Sequence, residues 1–257
     1  MRGMIVSGQV FQKDALLAEL KIWKPENLLE EVHKEGGSFG FIGTRVNGRE
    51  MERVRYRVGV LDLGGARGMY HDLMENGIDA KLLPYDITAE ELSRENDQYP
   101  FQGFVITDGP GDPAEYPKVV ETIRAVLNTG LPVLGISLGH QLLALAHGLK
   151  TCRMKNVNGV VFGHRGANQP VLSLLSGRTY ITAQNHGYVV DEESFDPAVC
   201  DITFRNSNDK TIEGLCYKDG HSFGVQFLPD GLPGRQSTVF IYEELIQMMI
   251  DRKGQVI

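Results

Sequence analysis

The stretch 131–146, which reads LPVLGISLGHQLLALA, decides the fold. Its first six residues are almost wholly apolar and predict a short buried β-strand. The residues from His140 onward predict a helix, and Gly148 ends it. Between the two elements lies G-I-S-L-G, with Ser137 at its centre. A strand that turns into a helix around Gly-x-Ser-x-Gly is typical of a nucleophile elbow, where a strained backbone lifts the central side chain above the sheet.

These five residues alone leave two interpretations open. Ser137 is either an exposed nucleophile on an elbow or a residue that caps the helix in a tight turn made by Gly135 and Gly139. In both cases the turn lies at the carboxyl end of a strand. Open α/β sheets bind their ligands at that edge.

The sequence before this stretch alternates between short apolar runs and amphipathic segments. Strands are predicted at 57–63, 80–83 and 104–106, and helices follow each of them, the last at 114–129. One helix begins at Thr88, three residues before Glu91, as in a capping box. This alternation predicts an α/β fold, doubly wound around a mostly parallel sheet.

The pattern changes after residue 150. Short β-type runs at 160–162, 179–183, 200–204, 211–217 and 222–227 predict an additional small antiparallel element. A final amphipathic helix is predicted at 237–251. Residues 1–56, with a helical pattern at 14–34 and a turn at Gly36-Gly37, are predicted to be a short N-terminal extension, and 57–257 the main domain.

Composition excludes several functional classes. The 257 residues carry a net charge of −7 and are 42% hydrophobic, so neither nucleic acid nor an anionic membrane surface is an expected partner. The three cysteines, Cys152, Cys200 and Cys216, form no C-x-x-C pair. We therefore expect no metal site, a reducing cytoplasmic location and three buried thiols. No signal peptide or membrane helix is predicted.

Several longer motifs carry a family resemblance. The elbow reads GISLGHQLLALA at 135–146, and TDGPGDP at 107–113 contains a G-P-G-D-P loop. GHRGANQP at 163–170, TAQNHG at 182–187 and VQFLPDGLPG at 225–234 follow in order. Together they resemble the class I glutamine amidotransferases, and the small subunit of carbamoyl phosphate synthetase in particular.

The resemblance implies a flavodoxin-like fold, no cofactor and an acyl-transfer mechanism. In the family a cysteine attacks the glutamine amide, a histidine moves the proton and a glutamate orients the histidine. The implied partners are a synthetase-type large subunit and a glutamine-like ligand, in pyrimidine and arginine biosynthesis. The backbone amides of Gly111 and Leu138 would form the oxyanion hole. The glutamine pocket would be lined by Gly109, Gln141, Asn185, Gly187 and Tyr188, of which Gln141 and Asn185 also suit ordinary turn hydrogen bonding.

The sequence departs from the family at the catalytic positions. Ser137 replaces the cysteine, Leu228 stands at the histidine position and Asp230 at the glutamate position. A hydroxyl is a weak nucleophile without a base, and leucine has no titratable group. These residues predict a protein without glutaminase activity, acting as a non-catalytic subunit, regulator or ligand binder. The segment at 62–68 and the short N-terminal extension depart from the family as well.

Two catalytic alternatives stay open at this stage. One is a serine hydrolase with Ser137 as nucleophile, Asp209 as acid and His221 as base, in the chain order of α/β-hydrolases. The other is residual glutamine-dependent activity in a rearranged site. The remaining histidines near the motifs, His140, His164 and His186, are expected to be structural or surface residues.

Overall fold

The computed structural model describes residues 28–29, 41–42, 45–46, 49–50, 56–65, 67–154, 163–229 and 238–254. The β-type run predicted at 160–162, the catalytic position Asp230 and most of the N-terminal extension lie outside these residues. Within them, no helix is long and apolar enough to span a membrane.

The elements before residue 150 alternate between strand and helix. In chain order they are β1 (Phe41–Ile42), β2 (Arg45–Val46), β3 (Arg49–Glu50), β4 (Tyr56–Leu61), α1 (Arg67–Glu75), β5 (Ile78–Leu83), α2 (Ala89–Gln98), β6 (Gly103–Ile106), a 3₁₀ turn (Pro113–Glu115), α3 (Pro117–Leu127), β7 (Val133–Ile136) and α4 (Leu138–Ala146). Each strand predicted in this half is present.

The second half is mostly β. Its elements are β8 (Thr151–Arg153), β9 (His164–Ser173), β10 (Thr179–His186), β11 (Tyr188–Val190), a 3₁₀ turn (Glu192–Ser194), β12 (Cys200–Asn206), β13 (Ile212–Tyr217), β14 (Ser222–Val225) and α5 (Phe240–Gly254). The sequence did not predict β8, β9 or β11.

A ten-stranded sheet with the order β1-β5-β4-β6-β7-β14-β13-β12-β9-β10 forms the frame of the domain. Five neighbouring strands of this sheet, β5, β4, β6, β7 and β14, are parallel. Numbered along the chain, they follow the order 2-1-3-4-5 of flavodoxin-like folds. The doubly wound α/β fold class is therefore confirmed.

Helices cover both faces of the parallel strands. On one face α2, α3 and α4 pack through residues such as Leu92, Ile123 and Leu142. On the other face α1 and α5 pack through Leu73 and Leu245. Burial on both faces explains why the parallel strands are apolar without alternation.

The antiparallel strands differ from the predicted arrangement in one respect. The main sheet continues beyond β14 with β13, β12, β9 and β10, whereas β8 pairs with β11 and β2 pairs with β3 in two separate two-stranded antiparallel sheets. In addition, β1 pairs with β5, so two residues of the predicted N-terminal extension add a strand to the main sheet.

Local signals explain several element boundaries. Thr88 caps α2 in a complete capping box, as predicted: its side chain accepts from the Glu91 N–H, and the Glu91 carboxylate accepts from the Thr88 N–H. The helix predicted at 114–129 is instead a 3₁₀ turn followed by α3, which begins at Pro117. Of the cysteines, Cys200 is buried as predicted, but Cys216 is exposed, so the prediction of three buried thiols was wrong.

Candidate active site

The turn between β7 and α4 is a strained elbow. Ser137 has φ 54° and ψ −107°, a backbone conformation that residues other than glycine rarely adopt. Neighbouring glycines allow the tight turn, because a Cβ on Gly139 would lie 2.2 Å from the Ile106 carbonyl oxygen. The Ser137 side chain makes no capping hydrogen bond to α4. The capping interpretation was therefore wrong, and the elbow interpretation fits the backbone.

The Ser137 hydroxyl faces a half-buried carboxylate, that of Asp108. Asp108 accepts hydrogen bonds from this hydroxyl and from the backbone N–H groups of Gly109 and Leu138, the last at 3.5 Å. Burial raises the pKa of Asp108, and these hydrogen bonds offset only part of the rise. The motif TDGPGDP contained Asp108, but only the fold reveals its contact with the elbow.

The loop that carries Asp108 is tied to the elbow through its backbone. The N–H of Gly139 donates to the Thr107 carbonyl over 3.1 Å. A Cβ on Gly109 would lie 2.3 Å from the Leu63 carbonyl oxygen, and Gly111 has φ +99°. Only glycine allows both the close approach and the left-handed backbone. The loop with Gly111 and the elbow with Leu138, the two predicted oxyanion residues, thus form one edge of the site.

Apart from Gly109, the predicted pocket residues lie on α4, on β10 and β11, and in the link between those two strands. The buried Gln141 side chain, on α4, donates to the Tyr188 carbonyl over 2.7 Å and to Gln226 Oε1 over 2.9 Å. Asn185 is exposed near the end of β10, and Gly187 accepts a hydrogen bond from the Met154 N–H. Gln141 therefore holds the wall formed by Tyr188 in place.

The Tyr188 side chain links this wall to the loop. Its hydroxyl is hydrogen-bonded to Asp112, and its pKa is raised, first by burial and then by that contact. The phenol consequently stays neutral and donates to the carboxylate. The wall made by β11 and the loop between β6 and α3 are joined across the site.

Leu228 lies at the same edge of the sheet as the elbow. β14 pairs in parallel with β7, with Val225 opposite Ile136, so Ser137 and Leu228 both follow carboxyl ends of neighbouring strands. Leu228 is half-buried, its N–H donates to the Ala183 carbonyl over 2.9 Å, and it packs on the core. Asp230 lies outside the described residues.

The acid–base pair of the serine hydrolase alternative does not form. Asp209 accepts from His164 Nε2 over 2.8 Å, whereas the His221 ring contacts the Asp219 and Leu127 carbonyls. The His221 carbonyl accepts from the Val133 N–H at the start of β7, the strand end opposite the elbow. The predicted pairing of Asp209 with His221 near Ser137 was wrong.

The three other histidines near the motifs, His140, His164 and His186, are buried. His140 is fully enclosed with neither ring nitrogen hydrogen-bonded to the described residues, and burial lowers its pKa to about 3. Burial likewise lowers the pKa of His186 to about 3. Burial would also lower the pKa of His164, but the carboxylates of Asp209 and Glu213 outweigh it and raise the value to about 9. These residues fit the structural role expected of them.

The divergent segment at 62–68 forms a hydrogen-bonded turn in its described part. Asp62 Oδ1 accepts from the N–H groups of Gly64 and Gly65 and from the Tyr70 hydroxyl. These contacts give the segment a packing role beside the loop that holds Gly109.

Comparisons with known proteins agree with this architecture. The family model for glutamine amidotransferase class-I matches residues 60–248. A putative GMP synthase protein from Thermoplasma acidophilum has a TM-score of 0.62 at 19% identity and covers 77% of this chain and 96% of its own. A glutamine amidotransferase from Thermotoga maritima has a TM-score of 0.53 at 18% identity, covering 77% of this chain and 97% of its own. At these identities, the two structures show the fold alone.

Curated relatives with higher sequence identity indicate which branch of the family the chain resembles. The carbamoyl phosphate synthase small chain of Bacillus caldolyticus is 38% identical over 203 residues, which are 78% of this chain and 53% of the relative. That of Helicobacter hepaticus is 34% identical over 258 residues, 95% of this chain and 65% of the relative. The chain thus spans between half and two thirds of the length of these relatives. It belongs to the class I glutamine amidotransferase family and is similar to the carbamoyl phosphate synthase small chain.

Proposed function

We propose that this protein is a non-catalytic relative of the glutamine amidotransferases. It keeps the scaffold and the ligand pocket, lacks glutaminase activity and serves as a non-catalytic subunit, regulator or ligand binder. The observation that carries the proposal is the contact of the Asp108 carboxylate with both Ser137 and Leu138. These are the residues that would supply the nucleophile and an oxyanion donor.

The charge of Asp108 opposes acyl transfer. Attack on an amide places negative charge on its oxygen, and the Leu138 N–H would have to stabilise that charge. Asp108 Oδ1 already lies 3.5 Å from this nitrogen. A second negative charge about 4 Å away costs about 4 kcal/mol at an effective dielectric constant of about 20.

Among the described residues, no histidine is placed to transfer the proton of Ser137 either. The position that the resemblance assigns to the base holds Leu228, which packs on the core. His140 and His186 are enclosed by other groups, and His221 lies at the opposite end of the strands. The carboxylate of Asp108 is a weaker base than an imidazole, so the Ser137 hydroxyl stays protonated and hydrogen-bonded to it.

The fixed positions of two residues assigned to the pocket support ligand binding. Gln141 is fixed to Tyr188 and Gln226, and the Tyr188 hydroxyl is fixed to Asp112. Such cross-links hold the wall of the pocket in shape at little entropic cost during binding. A glutamine-like amide is the ligand class that the family motifs favour, and a synthetase-type large chain is the partner.

Calorimetry with glutamine tests the ligand-binding role. We expect saturable heat at millimolar ligand, with the Gln141→Ala variant binding more weakly. If glutamine gives only the heat of dilution when titrated into the wild-type protein, the ligand-binding role is refuted. Co-purification of a synthetase-type large chain with the native protein tests the subunit role in the same way.

The strained elbow also motivates a serine hydrolase, which we rank second. A fluorophosphonate probe distinguishes the two functions because it labels only activated serines. We expect no adduct on Ser137. A Ser137 adduct that forms at the rate seen in a serine hydrolase would favour the hydrolase over the non-catalytic function. Residual glutamine-dependent activity, the third alternative, is tested directly by glutamate release.

A further inference from the structure

A second group of chemically active side chains lies on the antiparallel strands. His164 on β9, His186 on β10 and Glu213 on β13 are 8%, 6% and 0% exposed. One potential ligand atom from each lies within 4.8 Å of the other two. The proposed function uses none of these three residues.

Outer hydrogen bonds orient both imidazole rings. His164 Nε2 lies 2.8 Å from Asp209 Oδ2, and His186 Nδ1 lies 2.9 Å from the Tyr188 carbonyl. Since an ionised carboxylate and a carbonyl only accept, these ring nitrogens carry hydrogen. Histidines that bind metals show the same arrangement, because they donate their other N–H to a carboxylate or a carbonyl.

The two inner ring nitrogens converge on one point. His164 Nδ1 and His186 Nε2 lie 2.7 and 2.8 Å from the same atom, Gln184 Oε1. Glu213 Oε1 lies 3.2 Å from His164 Nδ1. Two imidazole nitrogens and a carboxylate oxygen are therefore directed at a common volume that the Gln184 amide now fills.

Hydrogen bonding inside this volume requires one proton more than a neutral His186 and an ionised Glu213 provide. If Gln184 Oε1 points toward the rings, it accepts a hydrogen bond from each of them. His164 and His186 must then both carry hydrogen on both ring nitrogens. With the amide reversed, its oxygen faces Glu213 Oε2, which lies 2.9 Å from the other amide atom. Either orientation thus leaves two acceptors in contact when His186 is neutral and Glu213 is ionised.

We propose that His164, His186 and Glu213 form a binding site for a divalent transition-metal ion of the zinc class. Two imidazole nitrogens with one carboxylate oxygen are a donor set that zinc accepts. The Gln184 amide, which now fills the volume between the three ligand atoms, would rotate away or contribute its oxygen. The sequence did not predict this site because its ligands come from three separate strands without C-x-x-C spacing.

The site would serve a structural purpose for the pocket. A bound ion would join β9, β10 and β13 directly before Gly187 and Tyr188, which form part of the pocket wall. Zinc would then stabilise the shape of the wall without touching the elbow.

Metal titration of the whole chain tests the inference. Protein stripped with a chelator is titrated with Zn²⁺ against a chromophoric chelator, and with Co²⁺ while visible absorption is recorded. We expect one equivalent of metal to bind, and the Co²⁺ protein to show the strong visible absorption bands that are typical of four- or five-coordinate Co²⁺. His186→Ala and Glu213→Gln should each weaken Zn²⁺ binding more than about 100-fold, and Asp209→Asn about 10-fold or more.

A matched control comes from the same chain. His71, Asp72 and Glu75 on α1 form a second group with metal-ligand geometry, at a more exposed place. His71→Ala should leave Zn²⁺ affinity unchanged. The inference is overturned if wild type fails to bind Zn²⁺ at micromolar concentrations, or if His71→Ala abolishes binding. Asp209 is 41% exposed, so Asp209→Asn should fold even where His186→Ala does not, and a wild-type affinity in that variant also overturns it.

Discussion

Removing the charge of Asp108 is the perturbation that tests the inactive site most sharply. The background is a variant in which Ser137→Cys, Leu228→His and Asp230→Glu restore the residues that the family resemblance implies. In this background the oxyanion would form about 3 Å from the Leu138 nitrogen. Asp108 Oδ1 lies 3.5 Å from the same nitrogen. The repulsion of about 4 kcal/mol corresponds to about 10³ in rate.

We therefore expect Asp108→Asn to raise kcat/KM for glutamate release by about 10²- to 10³-fold in the restored background. The amide keeps the size of the side chain and removes its charge. Asp191→Asn serves as the control, since Asp191 caps the 3₁₀ turn at Glu192–Ser194. Equal or lower activity of the Asp108→Asn protein, with both proteins folded, would refute the charge argument.

Three further predictions concern stability. Gly139→Ala should lower the free energy of unfolding by about 3 kcal/mol, because its Cβ would lie 2.2 Å from the Ile106 carbonyl oxygen. Gly148→Ala is the control: the space around Gly148 is open, so this substitution should cost only about 1 kcal/mol. Equal losses for the two variants in denaturant unfolding would contradict the prediction. Thr88→Ala should cost about 1 kcal/mol through loss of the capping box, and thermal unfolding at an unchanged temperature would count against it. Burial alone would raise the pKa of Asp219, but hydrogen bonds from the Ser222 hydroxyl and the His221 N–H outweigh it, and the pKa is lowered. Because the folded-state pKa is the lower one, this contribution is present above about pH 4 and is lost as the pH falls further. The stability gap between wild type and Asp219→Asn should hence shrink below pH 4, and a gap that grows there would contradict the sign.

The sequence predicted the parallel half of the fold well because its signals are local. The apolar run before Ser137 and the capping box at Thr88 each depend on a few adjacent residues. Burial on both faces makes every residue of such a strand apolar, and this pattern is visible without tertiary contacts.

The antiparallel half was harder to predict. β9 carries the polar residues His164, Arg165, Asn168 and Gln169. Of these, only His164 is buried, where it joins a hydrogen-bonded network, while Arg165 and Asn168 are exposed. Strand propensity is weak for such residues, and pairing with β10 and β12 compensates for it. Tertiary contacts thus override the local signal in this region.

In the candidate site, too, the local features were predictable from the sequence and the long-range contacts were not. The elbow at Ser137 was predictable from spacing, since its glycines and its position between strand and helix are local features. The contact of Asp108 with Ser137 joins residues that are far apart in the sequence, and the zinc-class cluster joins three strands. Neither follows from a motif, because each depends on how the strands are ordered in the sheet.

Glutamate release from millimolar glutamine by the wild-type chain, measured beside Ser137→Ala, tests the absence of glutaminase activity most directly. We expect the two proteins to release glutamate at the same background rate, because Asp108 holds both the Ser137 hydroxyl and the Leu138 N–H and Leu228 offers no base. Turnover in wild type that exceeds this background and disappears in Ser137→Ala would contradict the non-catalytic function.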